Sequence, residues 1–143
     1  MPTRSAHAEW NGPLDSGKGT MAFGSGAFEG PYSFQSRMEE GPGTNPEELI
    51  GAAHAGCFSM ALSGVLAGGG NPPESISTDA KVQFEKQGEG WAITAVELTT
   101  RARVPGIDED GFRQAAEAAK ENCPVSQALG DSVEVTLNAT LDA

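Results

Sequence analysis

The sequence predicts an α+β fold with mainly antiparallel sheet, and three observations carry that prediction. Apolar and polar residues alternate with period two in segments at both ends of the chain, a long uncharged run with helical start signals lies between them, and a shorter segment further on carries a helical apolar stripe. Composition narrows the reading. Only 25 of the 143 residues are Leu, Ile, Val or Phe and the formal net charge is −11, close to the range in which chains cannot bury enough apolar surface to fold. Twenty alanines, two tryptophans and the uncharged run argue instead for one compact domain, 1–143, packed through small side chains. Such a chain gains from burying surface against a second subunit.

The N-terminal third reads as a three-strand meander: Ser5–Trp10, Thr20–Gly24 and Pro31–Met38, separated by turn clusters such as Asn11-Gly12-Pro13 and Asp15-Ser16-Gly17. In the third strand Tyr32 and Phe34 fall on one face, with Ser33, Gln35 and Arg37 on the other. Gly12-Pro13-Leu14-Asp15-Ser16-Gly17-Lys18-Gly19 comes close to a phosphate-binding loop, but Gly19 stands where a metal-reaching hydroxyl is needed and no helix pattern follows. The segment is therefore read as a hairpin turn.

No charged residue occurs from Leu49 to Pro73. The run opens on a helix start, with Asn45 as N-cap, Pro46 at the first helical position and Glu47 and Glu48 facing the positive end of the helix dipole. Its apolar residues wrap nearly all round, which predicts a helix buried on most sides until Gly68-Gly69-Gly70 ends it. Length alone would also allow a membrane span. Gly51, His54, Gly56, Ser59, Ser63 and Gly64 dilute the run, however, so the small residues are read as letting another backbone approach closely. Ala80–Lys86 and Trp91–Val104 then form a hairpin around Gln87-Gly88-Glu89-Gly90, and Asp108–Glu121 a helix with Phe112, Ala115, Ala116 and Ala119 inward. Alternation from Val133 to Leu141 predicts a last strand. The element order is βββ-α-ββ-α-β.

With 20 acidic against 9 basic residues, the chain lacks the positive charge that drives binding to nucleic acid or anionic membrane. The first twelve residues hold no apolar segment of the secretory kind, so a cytoplasmic protein is expected. In a reducing compartment Cys57 and Cys123 are buried thiols, a reactive pair or part of a metal site rather than a structural disulfide. His54 and Cys57 lie three apart on the long helix, spaced for a metal pair or a thiolate with its base, but a lone His without the usual ligand spacings reads first as a helix-packing residue with a backbone partner. Cys123-Pro124 starts a second short helix and places a thiol at its N-terminus, where the dipole favours the thiolate. On dipoles alone Cys123 is the better thiolate, whereas Cys57, in mid-helix, needs a cation. Glu48 falls where a capping-box residue reaches back to the Asn45 amide, which leaves Glu47 free to act elsewhere.

The block Asn45-Pro46-Glu47-Glu48-Leu49-Ile50-Gly51-Ala52-Ala53-His54-Ala55-Gly56-Cys57-Phe58-Ser59-Met60-Ala61-Leu62 resembles the OsmC branch of the OsmC/Ohr family of thiol peroxidases. Val104-Pro105-Gly106-Ile107-Asp108 and Asn122-Cys123-Pro124-Val125-Ser126-Gln127-Ala128-Leu129 fit the same family. The resemblance implies an intertwined homodimer in which sheets wrap central helices. It makes Cys57 the peroxidatic and Cys123 the resolving cysteine, with Arg37 stabilising thiolate and peroxide and Glu47 orienting Arg37. It further implies organic hydroperoxide substrates, a dithiol reductant that includes lipoylated proteins, and no cofactor or metal. Phe34, Phe58, Met60 and Phe112 are candidate walls for an alkyl chain. Because Glu47 and Cys57 are ten residues apart, about 15 Å along one unbroken helix, Glu47 is expected to reach the site from the other subunit. Two other readings compete: a redox sensor or interaction protein switched by the same disulfide, and a Cys/His hydrolase built on Cys57 and His54.

Overall fold

The computed structural model describes residues 2–142, and Met1 and Ala143, the ends of the 1–143 span, lie outside it. The chain divides into two compact units, one up to Leu49 and one from Ile50.

The first unit is an antiparallel meander of β1 (Ala6–Asn11), β2 (Lys18–Phe23) and β3 (Glu29–Tyr32), in that spatial order. The loop that approaches a phosphate-binding motif is the β1–β2 turn, closed by the Gly17 amide donating to the Pro13 carbonyl at 2.8 Å. Gly19 has a packing reason to be glycine: a Cβ there would lie 2.5 Å from the Tyr32 ring and 2.6 Å from that of Trp10. Without it the two rings meet across the sheet at 5.4 Å between centroids.

The third strand is shorter than Pro31–Met38. It stops at Tyr32, and Phe34–Met38 form a short helix, α1. The competing signal is a capping box: the Ser36 amide donates to the Ser33 hydroxyl at 3.1 Å while the Ser33 amide donates to the Ser36 hydroxyl at 2.8 Å. The Ser36 hydroxyl also donates to the Thr44 carbonyl at 2.7 Å, tying α1 to the following loop. Arg37 therefore stands on a helix and not on the polar side of a strand.

The long helix α2 runs without interruption from Pro46 to Gly68. Asn45 caps it as the sequence suggests, its side-chain oxygen accepting from the Glu48 amide at 2.7 Å. The Glu48 carboxylate does not return to the Asn45 amide, because the nearer Thr44 hydroxyl donates to it at 2.7 Å.

In the second unit β4 (Ser75–Gln87) pairs antiparallel with β5 (Gly90–Arg103) through a turn whose first central residue, Gly88, has φ +61°, the pattern of a type II′ hairpin. The last strand, β6 (Glu134–Asp142), runs parallel to β5, making a sheet of order β4-β5-β6. A parallel neighbour requires a crossover, and α3 (Glu109–Asn122) and α4 (Pro124–Leu129) supply it. Asp108 caps α3 by accepting from the Gly111 amide at 2.7 Å.

One side of β5 supplies Val96, Leu98, Thr100 and Ala102 to the interior, packed with Phe58, Leu62 and Leu66 of α2 and with Phe112, Ala115, Ala116 and Ala119 of α3. A chain of hydroxyls crosses this core, Ser59 to Thr78 at 2.8 Å and Thr78 to Thr100 at 3.0 Å, so the buried Thr100 is satisfied. Burial of α2 is narrower than its composition suggests. His54, Phe58, Leu62 and Leu66 form one covered stripe at fourfold spacing, while Met60 is 78% exposed and a Cβ on Gly56, Gly64 or Gly68 would meet nothing within 4 Å. The small residues that dilute the helix leave an apolar face that a single chain does not fill.

Candidate active site

Two pairs of candidate side chains form, one in each unit. In the first, α1 and the opening turn of α2 bring Arg37 against Glu47. Arg37 Nε donates to one carboxylate oxygen at 3.0 Å and Nη2 to the other at 2.9 Å. Such a two-pronged bond fixes the plane of the guanidinium as well as its position. The Glu47 side chain is 8% exposed and that of Arg37 41%, so the carboxylate is anchored and the cation faces outward. Both residues belong to the same chain. The anchoring is local: the Asn45 side chain donates to the Ser36 carbonyl at 3.0 Å, holding the end of α1 against the start of α2.

In the second unit Cys57 projects from α2 toward Cys123, the residue shared by the end of α3 and the start of α4. Cys123 Sγ lies 2.9 Å from Cys57 Sγ, close enough for a thiol hydrogen bond, and both cysteines are free. Burial pushes the Cys57 thiol up, and its hydrogen bond with Cys123 pushes it further, against a smaller opposing effect of the Val125 amide. Burial also opposes the Cys123 thiolate, but the Cys57 thiol, the amide and hydroxyl of Ser126 and the Val125 amide outweigh it and hold Cys123 below the usual thiol value. No ordinary cap hydrogen bond forms to the Cys123 side chain; the free amides of the first turn of α4 act on the sulfur through their charge distribution. Within this unit Cys123 is therefore the easier thiol to ionise, as its place at a helix start suggests, and Cys57 still lacks a cation.

His54 is fully buried, and burial depresses its pKa, which keeps the imidazole neutral. Its Nε2 lies 2.6 Å from the Ser126 hydroxyl, while Nδ1 is buried without a hydrogen-bond partner. The sequence favours His54 as a packing residue with a backbone partner over one paired with Cys57; the structure packs it and turns its ring to the Ser126 side chain. Ser126 had no assigned part; it stands three residues after Cys123, in the first turn of α4. Among the described residues no three His, Cys, Asp or Glu side chains cluster to hold a metal ion. Phe58 and Phe112, suggested as pocket walls, are fully buried core residues.

A facing pair of cysteines on a helix and a helix start, behind a two-layer α+β unit, defines a dithiol redox protein. The family model described as OsmC-like protein matches residues 39–138. The chain is 48% identical to the peroxiredoxin OsmC of Escherichia coli over 139 residues, 96% of each chain, and 37% identical to the organic hydroperoxide resistance protein of Xanthomonas axonopodis pv. citri over 98 residues, 68% of this chain and 67% of the relative. It also shares its fold with the crystal structure of an organic hydroperoxide resistance protein from Elizabethkingia anophelis, at TM-score 0.78 and 23% identity, covering 99% of this chain and 98% of that one. The chain belongs to the OsmC family.

Proposed function

We propose that the protein is a cysteine-based peroxidase that reduces organic hydroperoxides to alcohols. The observation that carries this reading is the 2.9 Å approach of Cys57 and Cys123. The Cys57 thiolate attacks the terminal oxygen of the hydroperoxide, the O–O bond breaks, and the alkoxide leaves with a proton as alcohol while Cys57 becomes a sulfenic acid. Cys123 then displaces hydroxide from the Cys57 sulfur to give the disulfide and water. An external dithiol, such as the lipoyl group of a carrier protein, reopens it and is itself oxidised. The names of the relatives, a peroxiredoxin and organic hydroperoxide resistance proteins, support the same substrate class. The reaction needs no cofactor.

Arg37 and Glu47 complete this site in our reading. Cys57 needs a cation to ionise, and Arg37 is a guanidinium held at a fixed orientation by Glu47. Ten residues of unbroken helix separate Glu47 from Cys57, about 15 Å of rise, so the pair that serves Cys57 is assigned to a second copy of the chain. The apolar face of α2 supports a homodimer: only 28% of its most apolar 18-residue stretch is buried in one chain. By length and composition the same helix could cross a membrane. We favour a protein partner, because His54, Phe58, Leu62 and Leu66 already pack one stripe into a core and open glycines on the other side suit a second helix. The two units are taken as parts of one OsmC-like domain, since the family match runs across their boundary. A pair of free thiols this close suits the reducing cytoplasm.

The test is steady-state consumption of cumene hydroperoxide with dithiothreitol as reductant. Continuous turnover supports the peroxidase. One equivalent consumed and then a halt marks a redox sensor, and no consumption leaves the hydrolase. Mixing inactive Cys57→Ser with inactive Glu47→Ala chains should restore partial activity; verified heterodimers without rescue would contradict the assignment of Glu47 to the second copy.

A further inference from the structure

The short helix α4 carries Cys123 at its start, yet none of its residues is buried. Leu129, at its far end, is only partly covered by the core, and Gln127 Nε2 donates to the Glu121 carbonyl at 3.3 Å, a bond that stays within the α3–α4 corner. Two side-chain contacts tie α4 and its first cysteine to α2. Cys57 meets Cys123 at 2.9 Å, and His54 Nε2 lies 2.6 Å from the Ser126 hydroxyl. His54 precedes Cys57 by three residues and Ser126 follows Cys123 by three. The contacts are therefore two rungs between the same helices, about 4.5 Å of rise apart. The imidazole is fully buried and its Nδ1 has no hydrogen-bond partner. Breaking the rung to Ser126 would strand both ring nitrogens away from water, which makes it a bond the fold holds firmly.

We propose that His54 and Ser126 are positioning residues for disulfide closure, their hydrogen bond being the rung that keeps Cys123 facing Cys57 while the sulfur rung is chemically remade. This rests on the peroxidase reading of the cysteine pair. A single contact lets a short helix pivot about it, whereas two contacts a turn apart fix its direction. When Cys57 becomes a sulfenic acid, the sulfur-to-sulfur hydrogen bond of the reduced pair is given up, and the His54–Ser126 rung is left to hold α4 in place. The Cys123 thiol then loses its proton to water, its thiolate attacks the Cys57 sulfenic sulfur, the S–O bond breaks, and the departing hydroxide takes up a proton. The sum is one sulfenic acid and one thiol giving one disulfide and water. The sulfurs start 2.9 Å apart and a disulfide bond is about 2 Å long, so the rung can persist through the step. By limiting the freedom of the reduced pair, it raises the effective concentration of one sulfur at the other, in the rate of closure and in the stability of the disulfide alike. It leaves the attack of Cys57 on peroxide alone.

Single-turnover reactions with cumene hydroperoxide separate the two steps, with Cys57 sulfenic acid followed by dimedone trapping and disulfide by non-reducing peptide mass spectrometry. Ser126→Ala should form sulfenic acid within twofold of the normal rate but close the disulfide about three- to tenfold more slowly, the loss of one hydrogen bond. Ser126→Thr keeps the hydroxyl and should restore closure. His54→Phe keeps a ring without its nitrogens and should slow closure to the same extent, and the double variant should be no slower than either single one. Unchanged closure in Ser126→Ala, equal loss in both steps, no recovery in Ser126→Thr or additive losses in the double variant would overturn the proposal. Equilibration with dithiothreitol reads the same rung without peroxide: the Ser126→Ala disulfide should be about three- to tenfold easier to reduce, about 15–30 mV toward less negative potential. A potential that Ser126→Ala leaves in place would refute the rung, whereas an unaltered chain that never forms sulfenic acid would refute the peroxidase reading.

Discussion

The two units pose opposite electrostatic problems in their candidate pairs. Arg37 and Glu47 pair a half-exposed guanidinium with a buried carboxylate, and what the bidentate bond supplies is orientation. Cys57 and Cys123 are free thiols, one half-buried and one buried, whose orientation follows from the helices and whose difficulty is to form a charge where it is needed. The thiol at the helix start is helped by the amides and hydroxyl of α4, and the thiol in mid-helix is hindered by burial and by its neighbour. In the reaction proposed above, the preset cation and the reluctant thiol have complementary tasks.

The largest test of that contrast is removal of the reluctant thiol. Cys57→Ser should abolish peroxide consumption, by about a thousandfold or more, while Cys123→Ser should still consume one equivalent and accumulate trappable sulfenic acid. Next comes the core that brings the two thiols together. Phe112 is fully enclosed between α3 and the sheet, so Phe112→Ala should cost about 3–5 kcal/mol in urea unfolding. Loosening the preset cation is expected to matter less: Glu47→Gln should lower kcat/KM about ten- to a hundredfold with little change in unfolding midpoint, and Arg37→Lys should not substitute for the fork of the guanidinium.

The smallest effect is a pH dependence of stability from His54. Its folded pKa lies below the ordinary value of 6.5, so between those two values the unfolded chain binds a proton that the folded chain does not. Stability from this group is intact above the ordinary value and declines as pH falls through the window. Urea midpoints measured across that range should fall less steeply in His54→Gln than in the unaltered chain.

Much of this arrangement was legible in the sequence wherever a local signal acts alone. Asn45-Pro46 and Asp108 mark helix starts that the structure keeps, and the glycines around Glu89 mark the hairpin. The signals fail where two local preferences compete. Tyr32 to Met38 alternates like a strand, yet the reciprocal Ser33–Ser36 bonds turn it into a helix. Other features depend on pairing at a distance. The parallel partner of β5 is set by the crossover through α3 and α4, and the burial of α2 depends on what faces its small residues, neither of which a linear pattern encodes. The two cysteines could be chosen from the chain with help from a resemblance, but their 2.9 Å approach and the turn of His54 toward Ser126 emerge only from packing.

The fate of the two sulfurs during turnover decides whether the cysteine pair is the reaction centre. After one equivalent of cumene hydroperoxide without reductant, peptide mapping under non-reducing conditions should show one cumyl alcohol released per chain and a single linked peptide joining Cys57 to Cys123. Peroxide left unconsumed, or consumed with both cysteine peptides still unlinked and unoxidised, would contradict that assignment.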